Sequence, residues 1–159
     1  MSDYFERSAI SVRNVALLLC SFAGLGVSIY LTLAHYSKAV TLVCSNTGAI
    51  NCEKVTTSPQ SMIFGIPVAV LGLFFFVPMI VLSLPVVYRR LELSIAVTRL
   101  ALSVVGIGMV LYLVYAELFI IHAICLWCSS VHVLTFIIFC LVVSGWAEVR
   151  DYESAEDEA

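Results

Sequence analysis

Residues 123–146 read AICLWCSSVHVLTFIIFCLVVSGW, an apolar run with the ~20 residues that an α-helix needs to cross the hydrocarbon core of a bilayer. Near its start lie Cys125 and Cys128, two cysteines separated by two residues at the predicted helix N-terminus. There the first-turn amides and the helix dipole stabilise a thiolate, the form that attacks disulfides and electrophilic quinones. A dithiol at the N-terminus of a membrane helix indicates electron exchange with a compound dissolved in lipid.

The composition of the chain predicts further helices of this kind. Of its 159 residues, 62% are hydrophobic and 12% are charged, and the mean hydropathy is +1.06, which excludes an ordinary water-soluble surface. Apolar runs lie at 15–36, 63–87, 96–120 and 123–146. We predict an all-α integral membrane protein, a bundle of four transmembrane helices, that binds no nucleic acid.

The first run follows Arg7 and Arg13, as the apolar part of a secretory signal peptide does. Its apolar core is longer than the ~7–15 residues usual in a signal peptide, and no small-residue cleavage pattern is visible around Leu33 and Ala34. We therefore predict an uncleaved first helix.

The positions of Lys and Arg predict the orientation, because these residues are retained on the cytoplasmic side. One side of a four-helix path carries Arg7, Arg13, Arg89, Arg90, Arg99 and Arg150, and the other carries Lys38 and Lys54. Both termini are then cytoplasmic: residues 1–14 form a short segment, 15–146 the membrane domain and 147–159 an acidic tail. The loop at 37–62 and the turn at 121–124 face outward, which in a bacterium is the periplasmic side of the inner membrane.

A second pair of cysteines, Cys44 and Cys52, lies in the longest polar stretch between apolar runs. The polar segment between them contains Gly48, so the chain can bend and the two sulfurs can meet without strain. A disulfide in a mobile loop can be exposed to a water-soluble partner and then carried to another site. The chain thus offers two dithiols in series on the oxidising side of the membrane.

Two interpretations without a redox role remain open for these cysteines. Structural zinc sites usually use Cys-x₂₋₄-Cys pairs, and the spacing from Cys44 to Cys52 is wider than that. A pair of structural disulfides is the stronger alternative, although a Cys-x-x-Cys bridge closes so small a loop that its entropic stabilisation is slight. Cys20 and Cys140 lie inside predicted helices, where a free cysteine mostly acts as a small hydrophobe.

An ordered set of motifs resembles the vitamin K epoxide reductase family over about residues 15–146. The set consists of Cys44-x₇-Cys52, the segment from Cys52 to Ser58, Ile63-Phe-Gly-Ile-Pro67 opening a helix, and Cys125-Leu-Trp-Cys128 opening the last helix. The resemblance implies a four-helix bundle around a quinone. It implies that Cys128 faces the quinone, that Cys125 is its disulfide partner, and that Cys44 and Cys52 form a shuttle pair.

The resemblance also implies a quinone-binding set. Ser58 helps to shape the loop over the site, and Phe64 belongs to the Ile-Phe-Gly motif. Ser61 stands where vertebrate members have a quinone-contacting asparagine, and His132 stands where they have a tyrosine one helical turn after the Cys-x-x-Cys. An imidazole at that place could hydrogen-bond a quinone carbonyl or stabilise the thiolate, or simply bond a neighbouring helix.

These departures, and the lack of the long vertebrate insertion after the serine, argue against epoxide reduction. The short form resembles bacterial homologues, which pass electrons from a periplasmic thioredoxin-fold disulfide oxidase to ubiquinone or menaquinone. Without a fused thioredoxin-like domain in this sequence, we expect the oxidase to be a separate protein. A quinone reductase of the disulfide-bond B type is an alternative, but its Cys-x-x-Cys would be expected in the first outward loop.

Two further groups of residues are open to more than one interpretation. Glu117, inside the third run, could supply protons to a quinol or make a structural hydrogen bond, the more usual role. His35 and His122 fit interfacial positions at helix ends. The glycines in the first three runs predict close helix packing; they are Gly24, Gly26, Gly65, Gly72, Gly106 and Gly108.

Overall fold

The computed structural model describes residues 2–37, 40–44, 48–84 and 93–157. Its long helices are α1 (Ser2–Tyr36), α3 (Val68–Ser83), α4 (Leu93–Tyr115) and α5 (Leu126–Asp157). Between α1 and α3 lie a short helix α2 (Cys52–Thr56), a 3₁₀ turn (Pro59–Ser61) and a two-stranded hairpin of β1 (Met62–Ile63) and β2 (Ile66–Pro67). A π-helical turn (Ala116–Ile121) extends α4.

Three of the helices are long and apolar enough to cross a membrane, over Val12–Tyr36, Ser94–Ile121 and Leu126–Trp146. Within these spans only 28%, 17% and 22% of the most apolar window is buried inside the protein. Most of their apolar side chains therefore face outward, as the lipid-facing surface of a bundle does. The prediction of an all-α membrane protein is confirmed. The fourth apolar helix, α3, has 16 described residues.

The structure corrects the start of the second predicted run. Residues 63–67 are not helical, because Phe64 and Gly65 adopt φ angles of 51° and 79° and form the two-residue turn of the hairpin. This left-handed pair is typical of a tight hairpin turn and incompatible with a continuing helix. The helix begins after Pro67. The end of the run, at 85–87, lies outside the described residues, as do Lys38, Arg89 and Arg90.

The ends of the chain also differ from the predicted boundaries. Helix α1 begins at Ser2, ahead of the predicted start at 15, and α5 continues to Asp157. The segment 147–157 is therefore helical in its backbone.

Glycines bring the helices into close contact at the centre of the bundle. The ring of Phe76 on α3 lies against Gly24 on α1, and Gly72 on α3 lies against the Ser28 side chain. A Cβ at either glycine would overlap these neighbours, so α1 and α3 pack as close antiparallel helices. Gly106 likewise receives the ring of Phe75.

The packing prediction is wrong for the other three glycines. Gly26 and Gly108 face open space, and Gly65 serves the hairpin turn.

Arg99 of α4 binds the C-terminus of α3. Its guanidinium Nη2 donates a hydrogen bond to the carbonyl oxygen of Leu82, in the last turn of that helix, and the side chain is buried. The last carbonyls of a helix have no partner within it, and the helix dipole favours a cation there. Arg99 therefore joins α4 to α3 at the end of the bundle opposite the cysteine loop.

Candidate redox site

All four cysteines of the two predicted pairs meet in one place. Cys52 and Cys125 are both fully buried and belong to one apolar cluster, together with Val55, Ala116, Ile121 and Ala123. Cys44 and Cys128 pack against the edge of the same cluster. The sequence predicted the two pairs separately, and the fold brings them into contact range.

The two pairs are in different redox states. Cys44 and Cys52 form a disulfide, whereas Cys125 and Cys128 are thiols. Cys52 is the first residue of α2, and the Asn51 side chain caps that helix by accepting a hydrogen bond from the Lys54 N–H at 2.9 Å. Among the described residues, no group of three or more His, Cys, Asp and Glu side chains is arranged to hold a metal ion.

Backbone hydrogen bonds hold the loop of the first pair against the start of α5. The N–H of Asn51 donates to the carbonyl of Ile124 at 3.1 Å, and the N–H of Ile124 donates to the carbonyl of Ala49 at 2.8 Å. These bonds form a short parallel bridge between Ile50 and Ile124. Cys52 and Cys125 follow this bridge within two residues, so it holds both cysteines in the same buried cluster.

The other arm of the loop is held by two aromatic side chains. The Tyr30 hydroxyl donates to the carbonyl of Thr41 at 3.2 Å and accepts from the N–H of Val43 at 3.1 Å. The Trp127 indole Nε1–H donates to the carbonyl of Val43 at 3.0 Å, and the two rings meet edge to face with centroids 4.9 Å apart. We call Tyr30 and Trp127 the aromatic clamp. It fixes the backbone directly before Cys44.

The sequence predicted neither of these contacts. Tyr30 and Trp127 form hydrogen bonds with backbone groups of the cysteine loop, and a single sequence carries no signal for such contacts.

The two thiols of the second pair are not equivalent. Cys125 directly precedes α5, and its Sγ accepts the N–H of Cys128 at 3.2 Å, as the side chain of an N-cap residue does. A hydrogen bond from the Cys128 thiol lowers the pKa of Cys125 below its ordinary value; the backbone N–H of Cys128 acts in the same direction, against the opposing effect of burial. Cys125 is therefore the thiol poised to react as a thiolate.

A cavity opens beside Cys128, between the cysteine loop and the long helices. Its polar wall is formed by Cys128, Ser61, His132, Thr56, His35 and Ser28. His132 is buried one helical turn after Cys128, as the sequence predicted. Ser61 is fixed by its hydroxyl, which is shared between the carbonyls of Thr56 at 2.8 Å and Ser58 at 2.7 Å.

His35 also lines this cavity, although the sequence predicted only an interfacial position for it. The signal was its place at the end of α1, where the chain enters the cysteine loop.

The cavity continues between α3, α4 and α5 as an apolar groove, part of it open to the outside of the bundle. Phe75, Leu102, Val105 and Met109 line the groove, and His132 lies at the junction. An aromatic head group with a long apolar chain fits this shape: a mostly apolar end that carries a few polar side chains beside a thiol, then an apolar channel.

Ser58 and Phe64, the other two residues predicted to contact a quinone, lie apart from this cavity. The Ser58 hydroxyl donates to the carbonyl of Val55 at 2.7 Å, and Ser58 lines a small adjoining cavity that also reaches Cys128. Phe64 projects from the tip of the hairpin with its side chain fully exposed, 101% of the reference value. The structure brings Ser58 to the edge of the site and leaves Phe64 outside it.

Glu117 is an acidic residue at the site whose role the sequence left open. It lies in the π-helical turn, is 5% exposed and lines the adjoining cavity with Ser58, Ser61 and Cys128. Its carboxylate accepts a hydrogen bond from the backbone N–H of Cys125.

Comparison with known proteins agrees with this arrangement. The family model described as the vitamin K epoxide reductase family matches residues 15–143. No curated protein matches the chain. The matched residues include both cysteine pairs and every residue that lines the cavity beside Cys128.

Proposed function

Because the chain belongs to the vitamin K epoxide reductase family, a family of membrane thiol oxidoreductases, we propose that it passes electrons from a protein dithiol to a quinone. The donor is a separate thioredoxin-fold disulfide oxidase on the periplasmic side, which the chain re-oxidises. The acceptor is ubiquinone or menaquinone in the inner membrane of a bacterium. The activity supports disulfide bond formation in the periplasm.

One observation carries this proposal: both dithiols share a buried cluster, and one of them borders a cavity. A structural disulfide in the loop would need no second dithiol beside it. The outer pair is held in a loop near the surface, and the inner pair lies between that loop and the cavity. This is the order in which a relay from a water-soluble donor to a lipid-soluble acceptor would use them.

The first steps move a disulfide inward. A thiolate of the donor attacks the Cys44–Cys52 disulfide, and the donor's second thiol resolves the mixed disulfide, leaving the donor oxidised and the loop pair reduced. The reduced loop pair then attacks Cys125 of an oxidised inner pair, which forms a mixed disulfide and frees the Cys128 thiolate. The second loop thiol resolves this mixed disulfide, so the loop disulfide forms again and the two protons of the loop pair pass to the inner dithiol. Because Cys52 and Cys125 are buried in one cluster, Cys52 is favoured as the attacking thiol and Cys44 as the resolving thiol.

The final step transfers two electrons to the quinone. Cys128 gives its proton to a quinone oxygen and, as a thiolate, adds to the ring or transfers charge to it; formation of the Cys125–Cys128 disulfide releases the quinol. His132 would hydrogen-bond a quinone oxygen, Ser61 would line the site of the head group, and Ser58 would hold the loop over it. A strongly oxidising quinone drives the sequence forward, since ~30 mV in a two-electron step corresponds to about 1.4 kcal/mol.

The contact between the two cysteine pairs also supports four membrane crossings. Residues 44–52 and 125–128 must lie on one side of the membrane, so the chain between them crosses an even number of times. The span Ser94–Ile121 supplies one crossing, and α3 is the helix available for the other. Together with α1 and α5 this makes four, with both termini on the cytoplasmic side.

The decisive experiment follows quinone absorbance during reduction by the detergent-purified protein, with either a small dithiol or a reduced thioredoxin-fold oxidase as donor. We expect turnover with both donors and none in Cys128→Ala. Cys44→Ala should lose turnover with the protein donor and keep it with the small dithiol, which reaches the inner pair directly. Equal loss with both donors would contradict the two-pair relay, and absence of turnover in folded wild-type protein would contradict quinone reduction.

A further inference from the structure

Glu117 is the sole Asp or Glu within the three membrane spans, and it is almost completely buried. Burial of a carboxylate in a membrane protein is costly, and such residues are usually part of a proton or ion pathway. The relay described above moves electrons through Cys125 and Cys128 and assigns Glu117 no part.

The backbone around Glu117 is shaped to direct its side chain at the inner dithiol. The π-helical turn lets the Glu117 carbonyl accept from the N–H groups of both His122 and Ala123, the latter at 3.1 Å. His122 then takes a left-handed conformation, with φ of 52°, and the chain reverses. The reversal brings the backbone N–H of Cys125 to the Glu117 carboxylate. Turns of the π type occur often at functional sites.

The carboxylate lies close enough to both reacting sulfurs to interact with them electrostatically. Its charge acts on the thiols of Cys125 and Cys128, and it lines a cavity with Cys128. The ionisable groups on α2, which packs against the π-helical turn, are Glu53 and Lys54, and both are exposed. Within the membrane span of α5 the ionisable groups besides Cys128 are His132, which borders the neighbouring cavity, and Cys140.

We propose that Glu117 is the proton carrier of the inner site: it takes a proton from the Cys125–Cys128 dithiol and delivers it to the quinone. This inference rests on the proposed function. Reduction of a quinone to a quinol needs two electrons and two protons, and the dithiol holds both. Without a carrier, the last proton would have to leave a buried thiol and reach a quinone oxygen through an apolar wall.

The step balances as follows. The sulfur–sulfur bond between Cys125 and Cys128 forms as their two S–H bonds break, and the two electrons pass to the quinone ring. The Glu117 carboxylate accepts the proton of Cys125 and then gives it to one quinone oxygen, returning to its starting state. The proton of Cys128, which borders the quinone cavity, goes to the other oxygen. The dithiol is oxidised by two electrons and the quinone is reduced by two.

The test compares wild type with Glu117→Gln in quinone reduction with a small dithiol as donor. The amide oxygen can still accept the Cys125 N–H, but the side chain can no longer carry a proton. We expect turnover to fall by about 10²–10⁴-fold, the usual contribution of a positioned acid or base, with the KM for quinone little changed. The acidic limb of the wild-type pH profile, where the carboxylate becomes protonated, should disappear. Glu117→Asp should restore part of the rate.

Two controls separate this role from a structural one. Glu53→Gln removes an exposed carboxylate from α2 and should leave turnover and its pH profile unchanged. Disulfide exchange between the reduced loop pair and the Cys125–Cys128 disulfide, measured without quinone, should survive in Glu117→Gln, which shows that the site is folded.

The outcomes also distinguish the two proposals. Wild-type protein that exchanges disulfides but never reduces a quinone would overturn the proposed function, and the proton carrier with it. If Glu117→Gln reduces quinone within about twofold of the wild-type rate and keeps the acidic limb of the pH profile, the proton carrier alone is overturned. If Glu117→Gln loses disulfide exchange as well, the Glu117→Asp variant decides. Glu117→Asp protein that still exchanges disulfides but reduces the quinone as slowly as Glu117→Gln would contradict proton transfer.

Discussion

Cys125 and Cys128 differ in what their positions at the start of α5 do to them. Cys125 occupies the N-cap, where its sulfur accepts the N–H of Cys128, and Cys128 lies in the first turn beside the cavity. A low-pKa thiol is the better attacking group near neutral pH, because more of it is thiolate. This division assigns the attack that forms the final disulfide to Cys125 and the contact with quinone to Cys128.

The first prediction concerns the pKa of Cys125. In Cys128→Ala the thiol that donates to Cys125 is lost, so the pKa of Cys125 should rise toward its ordinary value, and less of it should be thiolate at neutral pH. The measurement is an ultraviolet titration of thiolate absorbance in protein whose loop disulfide is intact and whose Cys20 and Cys140 are replaced by Ser. An unchanged titration midpoint would show that the Cys128 thiol does not stabilise the Cys125 thiolate.

At the residue scale the sequence located the residues that the fold brings together better than it predicted their contacts. The four cysteines and His132 were found because their spacing and their match to a family pattern are local features. Phe64 was predicted to contact a quinone from its motif, yet the left-handed turn at Phe64 and Gly65 aims its ring out of the site. That direction depends on two backbone angles, which a motif does not contain.

At the scale of elements, the cysteine loop is positioned by contacts at both of its arms. The Ile50–Ile124 bridge holds the Cys52 arm through backbone atoms, and the aromatic clamp of Tyr30 and Trp127 holds the Cys44 arm through side chains. Only the clamp can therefore be removed by substitution without changing the backbone. Because Trp127 lies between the two inner cysteines, the clamp also joins the inner pair to the shuttle loop.

Tyr30→Phe tests the clamp. Loss of the hydroxyl removes the acceptor for the Val43 N–H, and a neutral hydrogen bond contributes about 1 kcal/mol, so exchange of the Val43 amide with deuterium should become roughly fivefold faster. Turnover with a thioredoxin-fold donor should fall more than turnover with a small dithiol, which does not need the loop. Tyr112→Phe, a change at an exposed tyrosine on α4, serves as the matched control. Equal exchange rates in both variants would contradict the clamp.

Element boundaries were predicted where hydrophobicity alone sets them. The apolar runs located α1, α4 and α5, because lipid requires an unbroken stretch of apolar helix. The hairpin before α3 and the π-helical turn after α4 were missed. Both consist of apolar residues, so composition does not separate them from the helices they adjoin; they are set by backbone geometry at Phe64, Gly65 and His122.

At the scale of the whole molecule, α3 is the element on which the topology depends. Its 16 described residues span about 24 Å, less than the ~30 Å hydrocarbon core. Close packing against α1 through Gly24 and Gly72, and the cap that Arg99 places on its C-terminus, hold α3 within the bundle. A short helix held in this way can cross if it is flanked by protein or if the bilayer thins around it.

The last prediction follows from four crossings. In a chain with Cys20, Cys125, Cys128 and Cys140 replaced by Ser and Cys52 by Ala, Cys44 should react with a membrane-impermeant maleimide from the periplasmic side of intact cells. With Cys44 also replaced, Ala159→Cys should react only after the inner membrane is permeabilised, because an even number of crossings puts both termini on the side opposite the cysteine loop. Labelling of Ala159→Cys in intact cells would require an odd number of crossings. It would mean that α3 does not cross the membrane. The two cysteine pairs could then meet only if α4 entered the membrane and returned to the same side without crossing it.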